Sequence, residues 1–556
     1  MQIIIPMSGF GERFRREGYK VPKPLIKIDK VHMIGHVINL FSGEKNIMFI
    51  CNKEHLNNKT YNMHNIIRHY LPEANIVGID SHKLGPIHTV LMAEKYIDLN
   101  EPVVVNYCDF SCYWDWHHFK KFVKETKCNG AIPAYKGFHP HSLGKTNYAY
   151  IKEKNNKLID IQEKKPFTKE RMQEYASSGT YYFASGDLLL ESFKSVVNNK
   201  NDINGEYYVS LAYKELLERK LNILIYNLQH FFQWGTPEDL EDYLVWSNIF
   251  KNYSKKNKFS KNKLGTILIP MAGLGKRFQD EGYIDPKPTI NVSGQPMIMQ
   301  VINHLPSSAN KVFVIRKDMK NYNEISKKIL DKYPDAKFKL LSKLTKGQAE
   351  SAYLGLNCLK DINNKEPLTI AACDNGIFYN TKIYESLLKN NNIDIIVWAY
   401  RNHFNAKINP NMFGWIDADN NGRILNVSSK IPINNDLTKP ILIGTFTFKK
   451  LSFFENSFNR MIKREGYVNN EYYIDESIND AIKTGYRCHL FEVNAFISWG
   501  TPNELKTFEY WQSCLHKWKY HPYNIDFDEN IPHDQKENLK LKYIEVLPKI
   551  QIKNKN

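Results

Sequence analysis

The strongest constraint on this chain is an internal duplication. Residues 1–14 read MQIIIPMSGFGERF and residues 266–278 read TILIPMAGLGKRF. YKVPKPLI at 19–26 returns as YIDPKPTI at 283–290, NYCDF at 106–110 as AACDN at 371–375, and SGTYYF at 178–183 as IGTFTF at 443–448. GEYYV at 205–209 returns as NEYYI at 470–474, and QWGTPEDL at 233–240 as SWGTPNEL at 498–505. Every pair is separated by 264 or 265 positions. So constant an offset leaves room for few net insertions, and the period far exceeds the roughly 20–50 residues of a solenoid repeat. Two whole domains of one fold, in tandem, are expected.

The join shows in composition. Residues 248–263, NIFKNYSKKNKFSKNK, hold six lysines and no acid, and one-sign charge with little apolar periodicity predicts a basic, solvated linker. The expected domains are 1–247 and 264–512, followed by a C-terminal tail, 513–556, whose early aromatics suit packing on the second domain.

A hydrophobic fraction of 42% supports packed cores rather than disorder. No apolar run approaches the roughly 20 residues that span a bilayer, so no membrane insertion is expected and the cytoplasm is the expected location. The eight cysteines contain no Cys-x-x-Cys pair and are expected to be reduced, mostly buried thiols. The formal charge of +17 comes largely from scattered lysine. Without a basic stretch interleaved with aromatics, this predicts a solvated surface and no nucleic-acid partner, while the same field suits small polyanions. Homo-oligomerisation stays open.

Within each copy, short apolar runs alternate with helix-length segments. IIIPM, NIMFIC and EPVVVNY read as buried strands; HTVLMAEKYI and VSLAYKELLERK read as helices. That alternation predicts an α/β fold, a mixed but mainly parallel sheet flanked by helices, with ligands at the carboxyl ends of the strands.

The first strand of each copy runs into a glycine turn, Gly9 and Gly11 or Gly273 and Gly275, whose backbone N–H groups can approach phosphate oxygens. Arg13 or Arg277 follows, and then Lys23 or Lys287 between two prolines that stiffen the backbone. Such cations can neutralise a triphosphate and the charge that builds on a displaced pyrophosphate. Asp109 and Asp374 each end a predicted strand, where a carboxylate either caps the next turn or holds Mg²⁺ beside phosphates. The Asp417-x-Asp419 pair reads as a hairpin turn at Asn420-Asn421-Gly422 rather than a calcium loop, because Ser428 stands where the bidentate acid would be needed.

Gly-x-Gly-x-Arg, then Pro-Lys-Pro, a strand ending in Asp, Gly-Thr and Gly-Thr-Pro: in this order the motifs resemble the nucleoside-diphosphate-sugar pyrophosphorylase (sugar-phosphate nucleotidyltransferase) family, once per half. The resemblance implies two tandem Rossmann-like nucleotidyltransferase domains. In each, a sugar 1-phosphate oxygen attacks the α-phosphorus of an NTP and releases pyrophosphate with Mg²⁺ as cofactor, for surface-polysaccharide precursors. It implies that Gly9, Gly11, Gly273 and Gly275, with Gly85 and Gly347 in the segments LGPIHTVLMA and TKGQAESAYL, hold the nucleotide. Arg13, Lys23, Arg277 and Lys287 would be catalytic, and Asp109 and Asp374 would bind the metal. Lys164 and Lys430, Gly179-Thr180 and Gly444-Thr445, and Glu206 and Glu471 would form the acceptor pocket.

Two departures stand out. Family members pair the acceptor lysine with a preceding glutamate; the first half has Glu163-Lys164, but the second has Ser429-Lys430 and loses the carboxylate. Many members also carry a second metal-binding acid where this chain has Gln233 and Ser498. Either one Asp and the substrate phosphates hold the metal, or one half has reduced activity. A cytidylyltransferase for a small non-sugar phosphate or phosphonate, a regulatory nucleotide-binding half and, less favoured, a glycosyltransferase remain alternatives.

Overall fold

A computed structural model describes residues 1–145, 147–255, 263–359 and 365–543, which divide into two compact units, Met1–Val245 and Trp246–Tyr543. In the first, the strands Asn75–Ile79, Ile47–Asn52, Gln2–Met7 and Val103–Asn106 lie side by side and parallel. Thr180–Phe183 follows, antiparallel to Val103–Asn106 and to Gly130–Tyr135 beyond it, and Ile223–Leu228 then runs parallel to Gly130–Tyr135. Ala149–Lys154, Lys157–Glu163 and Tyr175–Ser177 extend this sheet to ten strands. Ile3 and Ile5 pack with Phe49 in one core, whereas Ile4 packs with Met48, Ile50 and Val105 in another. A sheet covered on both faces needs no polar alternation, which is why IIIPM is an unbroken apolar run.

The second unit repeats the plan. Its order is Lys337–Leu341, Asn310–Arg316, Thr266–Pro270, Leu368–Ala371, Ile441–Phe448, Ile395–Tyr400 and Cys488–Glu492, with the same succession of parallel and antiparallel pairs. In both units the N-terminal strand has parallel neighbours on both sides, and the chain reverses its direction of travel across the sheet there. Such a reversal opens a crevice at the carboxyl ends of the two adjacent strands. The glycine turns leave one of those ends, and Asp109 and Asp374 follow the other.

A small second sheet closes each crevice. Phe110–Cys112 pairs with Phe231–Gln233 in the first unit, and Asn375–Phe378 with Ala495–Ser498 in the second. This pairing carries the Gly-Thr-Pro segment back to the strand-end aspartate.

Three expectations are corrected. The basic stretch is not linker throughout: the helix Pro237–Tyr253 runs through its first residues, and Ile249, Phe250 and Tyr253 are buried in the second unit. Phe250 stacks there on Phe508 at 5.5 Å. The lysines among these residues masked one apolar face. Residues 256–262 of that stretch lie outside the described residues. The second domain does not stop at 512, because the helix Pro502–Lys517 crosses that point and Tyr523, Ile525 and Leu539 are buried beyond it; residues 544–556 lie outside the described residues. HTVLMAEKYI is not one helix. An α-helix over Pro86–Leu91, which buries Ile87 and Val90, gives way to a 3₁₀ turn at Glu94–Tyr96 that buries none of its residues.

Other expectations hold. The Asp417–Asp419 segment turns a hairpin between Trp415–Ala418 and Ile424–Ser428, with Asp419 accepting from the Asn421 and Arg423 amides at 2.9 Å. None of the eight cysteines is in a disulfide, and six are buried. Among the described residues no helix is long and apolar enough to cross a membrane.

Candidate active sites

The N-terminal glycine turn places a lysine against the strand-end aspartate in both units. Gly11 takes φ 65° at the N-terminus of the short helix Glu12–Arg16, and Gly275 takes φ 67° before Lys276–Asp280. A side chain at either position would be strained and would face Lys23 or Lys287. Nothing lies within 4 Å of where a Cβ on Gly9 or Gly273 would stand, so each turn borders open space.

Lys23 Nζ donates to Asp109 Oδ2 at 2.7 Å, with the two side chains 22% and 23% exposed. Lys287 donates to Asp374 in the same way. Burial pulls the Lys23 pKa down, but Asp109 outweighs it, and the net shift is upward; Asp374 has the same effect on Lys287. Both lysines are therefore firmly cationic. The adjoining thiols of Cys108 and Cys373 are pushed by burial to about 12 and stay protonated. Arg13 and Arg277 are exposed. Arg13 acts electrostatically on Lys23 and on Tyr208, and Arg277 acts on Lys430 and Tyr473.

The family's second acid is absent from its usual place, yet a carboxylate arrives from the next helix turn. A Cβ on Gly500 would stand 3.1 Å from Asp374 Oδ2, 3.2 Å from Ser498 Oγ and 3.4 Å from Glu504 Oε2. Its counterpart on Gly235 would meet Asp109 Oδ2 and Gln233 Nε2, both at 3.0 Å. Asp239 occupies the position equivalent to Glu504. Burial raises its pKa to about 6, with Glu238 and Asp109 adding and the Thr236 hydrogen bond and Arg13 opposing. Thr236 and Thr501 donate to these carboxylates at 2.8 and 3.0 Å and accept the amide of the same residue, which locks them at the helix start. Sequence reading missed both acids. The signal was present as an acid four residues after the glycine in GTPED and GTPNE.

The acceptor candidates form a second cluster. Lys164 and Lys430 both adopt left-handed backbone, φ 57° and 66°. Lys164 Nζ donates to Tyr208 Oη at 2.5 Å, and Tyr208 donates to Glu206. Lys430 Nζ donates to the Met412 carbonyl at 2.7 Å and lies over the Tyr473 ring at 5.6 Å, with Tyr473 hydrogen-bonded to Glu471. Gly179 and Gly444 lie instead against the ends of the central strands, their carbonyls accepting the amides of Tyr107 and Ala372.

Thr180 and Thr445 do not line a pocket. They are 2% and 1% exposed inside the sheet, and Thr180 spends its hydroxyl on Asn106 at 2.6 Å. The glycines at 85 and 347 have a packing reason: a Cβ there would come within 2.8 and 2.6 Å of the Tyr207 and Tyr472 backbone nitrogens, at positive φ.

A nucleotidyl transferase family model matches residues 2–224, and a MobA-like NTP transferase domain model matches residues 267–452. Both halves are nucleotidyltransferase domains. Over about two-fifths of its length the chain is similar to curated proteins named bifunctional protein GlmU. That of Clostridioides difficile is 26% identical over 40% of this chain and 45% of its own length. That of Fervidobacterium nodosum is 27% identical over 38% and 42%. The chain thus spans about half the length of the curated relatives it matches. Among solved structures, a nucleoside-diphosphate-sugar pyrophosphorylase from Vibrio cholerae matches with a TM-score of 0.38 at 19% identity, covering 44% of this chain and 98% of that one. An inositol-1-phosphate CTP transferase from T. maritima matches with 0.35 at 14%, covering 45% and 96%. The Gly-Thr-Pro segments with Asp239 and Glu504 lie beyond both family matches, and their correspondence rests on the internal repeat.

Proposed function

We propose that each nucleotidyltransferase domain transfers a nucleoside monophosphate from an NTP to a sugar 1-phosphate or a similar phosphorylated acceptor, releasing pyrophosphate. The product is an activated sugar or headgroup of the kind used to build surface polysaccharide, made in the cytoplasm. The observation that carries this reading is the lysine–aspartate pair at the sheet's reversal point, beside an open glycine turn and an exposed arginine, present in both units.

An acceptor phosphate oxygen forms the new bond to the α-phosphorus as the bond to the β-phosphate oxygen breaks, and the electron pair leaves with pyrophosphate. Lys23 or Lys287 and the neighbouring arginine offset the charge that collects on the leaving group. Lys164 or Lys430 orients the acceptor phosphate, which converts a bimolecular encounter into a positioned one.

The oxygen donors suit Mg²⁺. No group of three or more His, Cys, Asp or Glu side chains gathers among the described residues, but Mg²⁺ is commonly held by one or two carboxylates plus substrate phosphates. Asp109 with Asp239, and Asp374 with Glu504, fit that role. The ion would supply charge neutralisation across the phosphates. With that ion bound, Asp109 or Asp374 would serve as its ligand, and Lys23 or Lys287 would be left to neutralise phosphate charge.

The experiment is pyrophosphate release with Mg²⁺, crossing the four NTPs with sugar 1-phosphates and small phosphorylated acceptors, on the full chain and on Lys23→Ala, Lys287→Ala and the double variant. Loss of a distinct activity in each single variant supports two transferase sites. Loss through Lys23→Ala alone restricts the reading to the first half, and no release with any pair refutes it.

A further inference from the structure

The missing glutamate of the second half has moved to another element. In the first half, Glu163 opposes Ala149 in the strand ladder, and Ser210, at the start of the helix Val209–Glu218, donates to Glu163 Oε2 at 2.7 Å. In the second half, Trp415 opposes Ser428, so Gly414 and Ser429 come next on the two strands, in the places of Ala149 and Glu163. The amides of the following lysines confirm that register: Lys164 donates to the Tyr148 carbonyl, Lys430 to that of Phe413.

The helices correspond just as closely. Tyr207 bonds Leu84 and Ile87 through its backbone, and Tyr472 bonds Lys346 and Ala349. Asp475 therefore stands where the first half has Ser210. Position by position, a strand carboxylate and a helix serine have become a strand serine and a helix carboxylate.

The exchange is complete in its details. The serine is buried in each half, Ser210 at 1% and Ser429 at 5%, while Glu163 and Asp475 are both half-buried residues. A Cβ at position 414 would lie 2.8 Å from Asp475 Oδ2, so the glycine there makes the room that an alanine would deny. Glu476, one residue on, accepts the Ser429 hydrogen bond at 3.0 Å and is also held by Arg464 at 3.2 Å, so the helix carboxylate directed to Lys430 is Asp475. Asp475 and Lys430 attract one another, as Glu163 and Lys164 do.

We infer that Asp475 is the acceptor-binding carboxylate of the second half, accepting a hydrogen bond from a hydroxyl of a sugar or polyol phosphate whose phosphate group rests on Lys430. This rests on the transferase reading of that half. It also removes one reason for treating the second half as a regulatory remnant, since its acceptor pair survives with the acid supplied by a different element.

The test uses the full chain carrying Lys164→Ala, which removes the first half's acceptor lysine. Glucose 1-phosphate, mannose 1-phosphate and glycerol 3-phosphate are titrated by calorimetry, with inorganic phosphate as comparator. Asp475→Asn, which is nearly isosteric, is expected to weaken the best-bound hydroxylated probe about tenfold, the worth of one charge-assisted hydrogen bond, and to change phosphate affinity less than twofold. Asp475→Ser should do the same, and Ser429→Glu added to it should restore most of the loss by rebuilding the first half's arrangement. A merely structural aspartate would not change that selectivity.

An unchanged ratio of hydroxylated probe to phosphate in Asp475→Asn overturns the inference. So does a folded Ser429→Glu/Asp475→Ser variant that binds no better than Asp475→Ser. Pyrophosphate release by the Lys23→Ala chain separates the two levels: if release persists while the ratio is unchanged, only the assignment of Asp475 fails. If release is absent and no probe binds, the transferase reading of the second half fails and takes the assignment with it.

Discussion

Replacing Lys23 with alanine should separate a stability cost from a catalytic one, because the lysine serves two partners in turn. In the free protein it pairs with Asp109 at 2.7 Å. At an effective dielectric of about 20, two charges so placed attract by about 6 kcal/mol, before the cost of taking both out of water is deducted. Removing one member of a fully buried pair costs about 3–5 kcal/mol, because the other is stranded. Here about a fifth of each side chain meets solvent, so a loss of about 1–3 kcal/mol is expected. The folded-state pKa of Lys23 is raised; the stabilisation is therefore complete below the unfolded value and lost only as pH climbs through the folded one. At pH 7.5 the full effect should be measured.

The catalytic cost is independent of that pair. A preorganised charge facing the departing phosphates is worth about 10²–10³ in kcat. Urea unfolding and pyrophosphate release are measured on Lys23→Ala, Asp109→Asn and the double variant, all in a Lys287→Ala background that silences the second site. The double variant should regain at least about 1 kcal/mol over the sum of the single losses, since no charge is left stranded, and should remain inactive. A Lys23→Ala enzyme within tenfold of its parent, or a double variant that recovers activity along with stability, would refute the reasoning.

Three further outcomes are expected. Gly85→Ala forces a residue at φ 84°, ψ 178° with its Cβ 2.8 Å from the Tyr207 nitrogen; backbone strain of about 1–3 kcal/mol plus the clash should lower the unfolding midpoint of the first unit in a denaturant titration, and a neutral result would remove the packing explanation. Asp528 is buried against Tyr523 and Asn530, and burial lifts its pKa from 3.8 to about 6. The native state then holds its proton more tightly than the unfolded chain, so this group's contribution falls as pH rises from about 4 to about 6; Asp528→Asn should gain about 2–3 kcal/mol relative to wild type over that interval and nothing more above it, as urea titrations at stepped pH would register. Gly500→Ala sets a methyl 3.1 Å from Asp374 Oδ2 and 3.2 Å from Ser498 Oγ, and Mn²⁺ titration followed by electron paramagnetic resonance should show the second site weakened about tenfold; equal affinity for the parent and variant would argue against a metal at Asp374.

Much of this molecule was legible in one dimension because the chain prints its own comparison. The 264-residue offset of the glycine turns and Pro-Lys-Pro segments predicted two copies of one fold, and unbroken runs such as IIIPM announced strands covered on both faces. The residues around Lys23 and Lys287 are close in sequence or sit at strand ends, so their types and spacing could be read together. Boundaries were less legible. Lysines in NIFKNYSKK concealed the buried face of a helix, because charge density and apolar periodicity report on opposite sides of the same segment.

What only the tertiary structure decided is which distant residues share a role. Asp109 meets Gln233 and the turn before Asp239 because two three-residue strands pair across more than a hundred positions. Read along the strand alone, Ser429 is a lost glutamate; the helix that begins at Ile474 brings carboxylates to the same place, and on the inference above Asp475 takes over that role. Linear order records which groups a chain owns, whereas a binding site asks only where a carboxylate ends in space, and packing lets strand or helix deliver it.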